Sequence, residues 1–304
     1  MNKIVNLPLN DINGERDSFD SHASVAEYLK HLNMLMLVRH VALLMIEVQK
    51  HRGASMAVLA GNEEFSARVA HSQCVIQRYI EVIQQLNMQA GQPISFDQWQ
   101  SIKHDWQALI AHWKTDPVMA NFEFHNHLID CMVKLIWALT SQCRFSYESK
   151  SDVSVVDEMS QGLLTITLRL MPELLENIAR VRGLAAYVCS LGASNAEFDS
   201  RFVALLHDLS MNKEKMRTVS RALQHDALRA VPALPEILLQ DHKLGHLKQM
   251  VSTKIISASD ITVKSEELFD FASDVINTYS QVIHDGITYF RRRIVQKLQV
   301  VDAI

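Results

Sequence analysis

The chain has 304 residues, which is enough to bury a large core in one or two domains. Only 9 residues are Gly and 6 are Pro, while Leu, Ala, Met, Gln and Glu are plentiful. This composition predicts an all-α protein, since long strands need more turn-forming residues. The formal net charge of −4 argues against nucleic acid as a partner.

The first predicted unit covers residues 23–150 and follows a polar N-terminal leader, residues 1–22. Ser24, with Glu27 three residues later, forms a capping box and predicts the start of a helix that runs to about residue 60. Three further helices complete the unit: about 63–86, about 96–113 behind the Ser95 cap, and about 118–143.

The second predicted unit covers residues 151–304, after a connector at 144–156 that has no clear period. Pro172 lies inside its first helix and is expected to kink or break it. A second interruption is predicted at 231–235, which contains two prolines. The helices of this unit are expected at about 155–190, 195–230, 236–257 and 264–302.

A short pattern occurs in both units. Arg52-Gly53 and Arg182-Gly183 each end an apolar helical pattern, and each is followed by a Glu-Phe pair. Near the end of each unit, apolar residues recur at matching spacings: Phe124, Leu128, Ile129 and Ile136, and then Phe271, Val275, Ile276 and Ile283. The same order of features twice predicts two four-helix bundles that arose by internal duplication and share long helices.

The phase of the two arginines places them inside the protein. Arg52 follows Val41, Met45 and Val48 on one helical stripe, and Arg182 follows a similar stripe. A buried guanidinium needs a partner, because an unpaired buried charge is strongly unfavourable. Two partners are open: a protein carboxylate, with Glu47 and Glu176 as candidates, or an anion from outside.

Other chemistry finds little support in the sequence. There is no phosphate-binding glycine loop, no Gly-x-Ser-x-Gly turn and no His-Glu-x-x-His pair, so we predict a non-enzyme without a cofactor. His242 and His246 lie four residues apart, as a metal pair would, but 14 histidines make such a spacing expected by chance. We therefore predict no metal site.

Several stretches resemble one family. Gln49-Lys50-His51-Arg52-Gly53 resembles the Gln-x-x-Arg-Gly signature of the nitrate- and nitrite-sensing (NIT) domain, an all-helical bacterial sensor domain. Residues 124–129 resemble the aromatic-rich helix that follows it there. Residues 170–175, with the Arg-Gly pair at 182–183, resemble the second half of such sensors. The resemblance covers roughly residues 25–300.

The resemblance implies a fold of two four-helix bundles and a nitrate or nitrite ligand held between helices by arginines. Arg52 and Arg182 match the two Arg-Gly positions, and His51 stands where some members have a further basic residue. Another basic ligand in the second half cannot be matched to a motif, and three residues are candidates by location only: Arg217, Arg221 and Lys243.

We therefore expect a non-enzymatic sensor that binds nitrate or nitrite and signals by helix rearrangement. Family members are usually fused to an output module, and none follows the last predicted helix here. We therefore expect either a sensor that acts through a separate protein partner or a protein whose signalling role has decayed. A homodimer is one way to present a surface to that partner. The alternative is an all-helical interaction scaffold whose arginines form structural salt bridges and bind no anion.

The predicted compartment is the cytoplasm, with no membrane partner. The four cysteines have no Cys-x-x-Cys spacing, which is typical of reduced core residues in a cytosolic protein. The polar N-terminus lacks the apolar core of a secretory signal. The most apolar run, Met34–Ile46, contains Arg39 and His40 and is too short to cross a bilayer.

Overall fold

A computed structural model describes residues 12–142, 160–223, 225–239 and 242–301, and these ranges are helical without any strand, which confirms the all-α prediction. The first half contains α1 (Ile12–Leu59), a 3-10 turn (Glu63–Phe65), α2 (Ser66–Gln89), α3 (Phe96–His112) and α4 (Val118–Gln142). The second half contains a helical stretch at 160–165, a π turn (Ile166–Leu170), α5 (Met171–Leu191), α6 (Ala196–Arg221), α7 (His225–Ala230), α8 (Ala233–Leu239), α9 (His242–Lys254) and α10 (Ser265–Val301).

Two helix starts follow directly from side-chain caps. The hydroxyl of Ser95 accepts a hydrogen bond from the backbone N–H of Gln98, and the side chain of Asn195 accepts one from Phe198. Each cap satisfies a backbone donor that the first turn of a helix leaves unpaired. The predicted starts of α3 and α6 are therefore confirmed.

Two boundaries differ from the sequence-based expectation. Helix α1 begins at Ile12 rather than at Ser24, so residues 12–22 of the expected leader are helical. Extending an existing helix needs no new nucleus, which explains why the polar start joins it. The expected interruption at 231–235 is confirmed only for residues 231–232, and α8 begins at Ala233, because Pro235 lies in its first turn, where no intrahelical N–H is needed. The predicted connector at 144–156 lies outside the described residues.

Pro172 neither breaks nor ends its helix. It lies at the start of α5, directly after the π turn Ile166–Leu170, and the chain continues as helix on both sides. A proline ring clashes with the carbonyl one turn earlier and lacks the N–H that would bond to it. The wider π turn places the irregular hydrogen bonding just before the proline, so the chain stays helical through it.

Helices α1 and α5 form the centre of the protein. Helix α1 packs against α2, α4, α5 and α10, while α5 also packs against α6 and α10. One cluster of buried apolar side chains includes residues from both halves, such as Met45 of α1, Leu135 of α4, Leu175 of α5 and Ile276 of α10. The boundary predicted near residue 150 therefore does not separate two independent cores.

Part of α1 is longer and more apolar than the run considered in the sequence. The stretch Tyr28–Leu59 is long and apolar enough to cross a membrane by length and composition. The expectation that the apolar run is too short to cross a bilayer is therefore wrong, because the apolar stretch extends well beyond Met34–Ile46. Within the apolar window 56% is buried inside the protein. Core helices of bundles share this length and composition, and the cytoplasmic location stays a prediction.

The contact between α10 and the π turn generates a test of the packing. A Cβ atom added at Gly286 would lie 2.6 Å from Cγ2 and 2.7 Å from Cβ of Thr167. The Thr167 hydroxyl donates to the Leu163 carbonyl at 2.7 Å, which fixes its rotamer. We expect Gly286→Ala to lower the free energy of unfolding by about 1–3 kcal/mol.

The matched control is Gly245→Ala in α9, where an added Cβ meets no atom within 4 Å. This change should raise the free energy of unfolding by about 0.5–1 kcal/mol, since alanine favours a helix over glycine. Urea unfolding followed by circular dichroism compares the two. Equal effects of the two substitutions would contradict the close contact at the π turn.

Candidate anion-binding site

Helices α1 and α5 are in close contact at their Arg-Gly pairs. A Cβ at Gly183 would lie 3.7 Å from the Cα of Gly53 and 3.6 Å from Nε of Arg52. Reciprocally, a Cβ at Gly53 would lie 3.6 Å from Nε of Arg182. Each arginine therefore lies over the glycine of the other helix, in the space that a larger residue would fill. The structure thus brings Arg52 and Arg182 together.

Arg52 has a carboxylate partner inside the protein. Its side chain is fully buried, and Nη1 donates to Oε1 of Glu176 at 2.6 Å while Nη2 donates to Oε2 at 3.2 Å. Nη1 also donates to the side-chain oxygen of Asn126 at 2.6 Å. The ring of Phe122 lies 5.3 Å from the guanidinium carbon. The charge of Arg52 is compensated by a forked ion pair, the geometry that guanidinium groups favour.

Arg182 is also fully buried but has no carboxylate partner. Its Nη1 donates to the hydroxyl of Ser273 at 2.9 Å, and the ring of Phe269 lies 4.7 Å from its guanidinium carbon. Nε and Nη2 have no hydrogen-bond partner among the described residues. Burial, and then the positive charge of Arg52, lowers the pKa of Arg182 to about 9. The group is therefore still charged at neutral pH.

The buried cluster carries an excess of positive charge. Two buried guanidinium groups, those of Arg52 and Arg182, share the interior with one buried carboxylate, Glu176, whereas the neighbouring ion pair of Arg180 with Asp130 is partly exposed. Arg180 bridges the carboxylates of Glu176 and Asp130, at 2.7 Å and 2.8 Å. The excess is thus a single positive charge, and it lies at Arg182. A buried charge of this kind favours a monovalent counter-ion.

His51 points away from this cluster. One ring nitrogen, Nδ1, is 2.9 Å from Nε2 of His125, and the other is 3.1 Å from the side-chain nitrogen of Gln73. The rings of Trp106 and Trp113 pack edge-on against it. Both nitrogens of His51 are therefore used within the first half, and the structure does not bring this residue together with Arg182.

The two histidines are held neutral. Burial lowers the pKa of His51 to about 3. Burial, and then the neighbouring His51, lowers the pKa of His125 well below its ordinary value. Nδ1 of His125 lies 2.8 Å from the backbone carbonyl of Asn121, so it carries the proton and Nε2 accepts from His51. When both rings are neutral, each donates one hydrogen bond and accepts one. Protonation of either ring would place a donor where this chain of hydrogen bonds needs an acceptor.

A pair of matched ion pairs frames the site near the surface. Arg68 of α2 pairs with Asp270 of α10, and Arg201 of α6 pairs with Glu123 of α4. In each half the arginine comes three residues after a phenylalanine, Phe65 or Phe198, and six after a capping asparagine. Each pair therefore joins a helix of one half to a helix of the other.

The sequence analysis identifies some residues of the site and misses others. Of the two candidate carboxylates, Glu176 is the partner of Arg52, whereas Glu47 pairs with Lys50 on the same helix. Arg180, four residues after Glu176 on α5, was not singled out, although that spacing places the two on one face. Asn126 and Ser273 lie at matching positions, two residues after Phe124 and Phe271 of the repeat, but nothing in the sequence pairs them with the arginines.

The other basic candidates lie elsewhere. Arg217 and Arg221 are within ion-pair distance of Glu214 on their own helix, and Lys243 pairs with Asp274 at the surface. His246 packs edge-on against Phe271. Across the described ranges, no group of three or more His, Cys, Asp or Glu side chains could hold a metal ion.

No protein-family model, curated protein or solved structure matches this chain.

Because Arg52 has a carboxylate partner and Arg182 has none, replacing each arginine by methionine should change the free energy of unfolding by different amounts. Arg52→Met leaves the buried carboxylate of Glu176 with fewer donors, so we expect a loss of about 3–5 kcal/mol in the free energy of unfolding. Arg182→Met removes a charge that has no carboxylate partner, and in nitrate-free chloride buffer we expect no loss or a gain. Urea unfolding of both variants measures this. A larger loss for Arg182→Met would contradict the assignment of the ion pair.

The neutral histidine pair predicts a loss of stability in acid. In the unfolded chain a histidine takes up a proton near pH 6.5, whereas folded His51 does so at about 3. Between these values the unfolded state binds more protons, so stability falls as pH drops, by about 1.4 kcal/mol per pH unit for His51. His51→Gln should flatten this slope between pH 6.5 and pH 4.5. His207→Gln, on an exposed face of α6, serves as the control and should keep the wild-type slope.

Proposed function

We propose that this protein is a non-enzymatic sensor that binds nitrate or nitrite beside Arg182, with Arg52 as the second guanidinium of the site. The observation that carries the proposal is a fully buried arginine with two nitrogens that lack partners among the described residues. The proposal includes a cytoplasmic location and a separate protein partner for output, to which a homodimer could present its surface.

The chemistry of the ligand fits the residues. Nitrate and nitrite are planar and monovalent, and a guanidinium group can donate to two of their oxygens in one plane. Hydrogen bonds to charged groups contribute about 1.5–3 kcal/mol each. A single negative charge also matches the single excess positive charge of the cluster, whereas sulfate would replace that excess with an excess negative charge. We therefore expect selectivity for monovalent anions.

The tight packing supports a link between binding and helix movement. A Cβ at Gly53 would lie only 2.8 Å from the ring of Phe269, the same ring that covers Arg182. An anion beside Arg182 therefore needs α1, α5 or α10 to shift. A ligand that binds one packing of the helices better than the other moves the population toward that packing. That shift is the proposed signal.

We propose that the two halves arose by duplication into two four-helix units that share the central helices. The reciprocal contacts of the Arg-Gly pairs support this proposal. The polar partners also match, since Asn126 lies four residues after Phe122 and Ser273 lies four residues after Phe269. The matched surface ion pairs of Arg68 and Arg201 occur in the same register.

The contacts of Arg52 favour the alternative function, an interaction scaffold. The ion pair of Arg52 with Glu176 is a structural salt bridge of the kind expected in an interaction scaffold that binds no anion. The two functions differ in what they require of Arg182. A sensor needs its free nitrogens to receive an anion, whereas a scaffold does not.

The deciding experiment is thermal unfolding of the purified chain in chloride, with nitrate, nitrite or sulfate added at equal ionic strength. A ligand at about 100 times its dissociation constant should add about 2.7 kcal/mol and raise the midpoint by a few degrees. We expect this rise with nitrate or nitrite and not with sulfate. Arg182→Gln should abolish it.

Arg201→Gln is the matched control, because Arg201 is partly exposed and has carboxylate partners in Glu123 and Glu197. This variant should respond to nitrate as the wild type does. A chain whose midpoint is the same in every anion would favour the scaffold. Loss of the response in both arginine variants would show a general effect of charge rather than a site.

A further inference from the structure

Glu176 has the surroundings of a bound anion. Its carboxylate receives N–H groups from both terminal nitrogens of Arg52, from Nε of Arg180 at 2.7 Å and from the side chain of Gln49 at 3.0 Å. The residue is 3% exposed. A carboxylate is a planar monovalent anion with its charge shared between two oxygens, as in nitrite, and nitrate differs by a third oxygen. The protein therefore supplies its own side chain where a small anion would otherwise fit.

The other arginine lacks such a residue. Glu176 lies six residues before Arg182 on α5 and pairs with Arg52 across the helix crossing. The residue six positions before Arg52 on α1 is Ile46, which is buried and carries no charge. Arg182 consequently bonds to the Ser273 hydroxyl and has no carboxylate partner in the described structure. One residue position distinguishes a filled anion site from one that needs a ligand.

We propose that Glu176 is a built-in anion that fills the Arg52 half of the site and limits the protein to one external monovalent anion. The limit of one external anion rests on the proposed function, whereas the filling of the Arg52 half by Glu176 stands on the contacts of this carboxylate. Removal of the side chain leaves a space of carboxylate size lined by Arg52, Arg180 and Gln49. Nitrate has the charge and planar shape to enter that space.

The test is isothermal titration calorimetry of the full chain with sodium nitrate. We expect the wild type to bind one nitrate and Glu176→Ala to bind two, because truncation opens the second position. Glu176→Gln is the volume control. It removes the charge but keeps the side chain in place, so it should still bind one nitrate. Arg182→Gln should bind none.

The double variant Glu176→Ala with Arg182→Gln keeps the inference testable if the single variant folds poorly. It removes one negative and one positive charge, so its buried cluster has the same excess charge as the wild type. We expect it to bind one nitrate at Arg52, and nitrate should raise its thermal midpoint by a few degrees. Circular dichroism of each variant verifies that the helices are retained.

The outcomes separate this inference from the proposed function. No nitrate in the wild type but one in the double variant would refute the Arg182 site and support Glu176 as a built-in anion. One nitrate in the wild type, one in Glu176→Ala and none in the double variant would overturn the inference and leave the sensor proposal intact. No binding to any variant would overturn both.

Discussion

The close approach of α1 and α5 at Gly53 and Gly183 is the constraint on which the rest of the site depends. It brings two arginines into an interior that excludes water, each over the glycine of the other helix. Charges in such surroundings must be matched by nearby groups, because desolvation exceeds what a single neutral hydrogen bond returns. The placement of Glu176, Asn126 and Ser273 follows from that requirement.

The two halves surround their buried arginines with different partners, although the two arginines occupy matching positions at the helix crossing. On one side Arg52 has a carboxylate, an amide and an aromatic ring around it. On the other, Arg182 has a hydroxyl and an aromatic ring. Removing one partner of a buried ion pair is strongly destabilising, because the other charge is left unpaired. In the described structure the charge of Arg52 is matched by Glu176, whereas Arg182 has no carboxylate partner.

Helix α1 also connects the site to the first half of the protein. Consecutive residues on a helix point about 100° apart, so Arg52 faces α5 while His51 faces α2, α3 and α4. A shift of α1 at the crossing would move the buried histidine pair and the tryptophan stripe packed on it. On α5, the π turn Ile166–Leu170 lies just before the segment that carries Glu176. The residues around the two arginines therefore belong to helices that pack throughout the protein.

The sequence by itself determined the helical class, the cap at Ser95, the helix start near residue 195, and the inward phase of Arg52 and Arg182. These properties follow from composition, local hydrogen bonding and a period of 3.6 residues, all of which act within one helix. Only the tertiary structure decided that Glu176 rather than Glu47 pairs with Arg52, that His51 faces away, and that Arg182 has no carboxylate partner in the described structure. These outcomes depend on where two helices cross and how they are rotated about their axes. Residues that lie between 22 and 127 positions apart in the sequence set that geometry together.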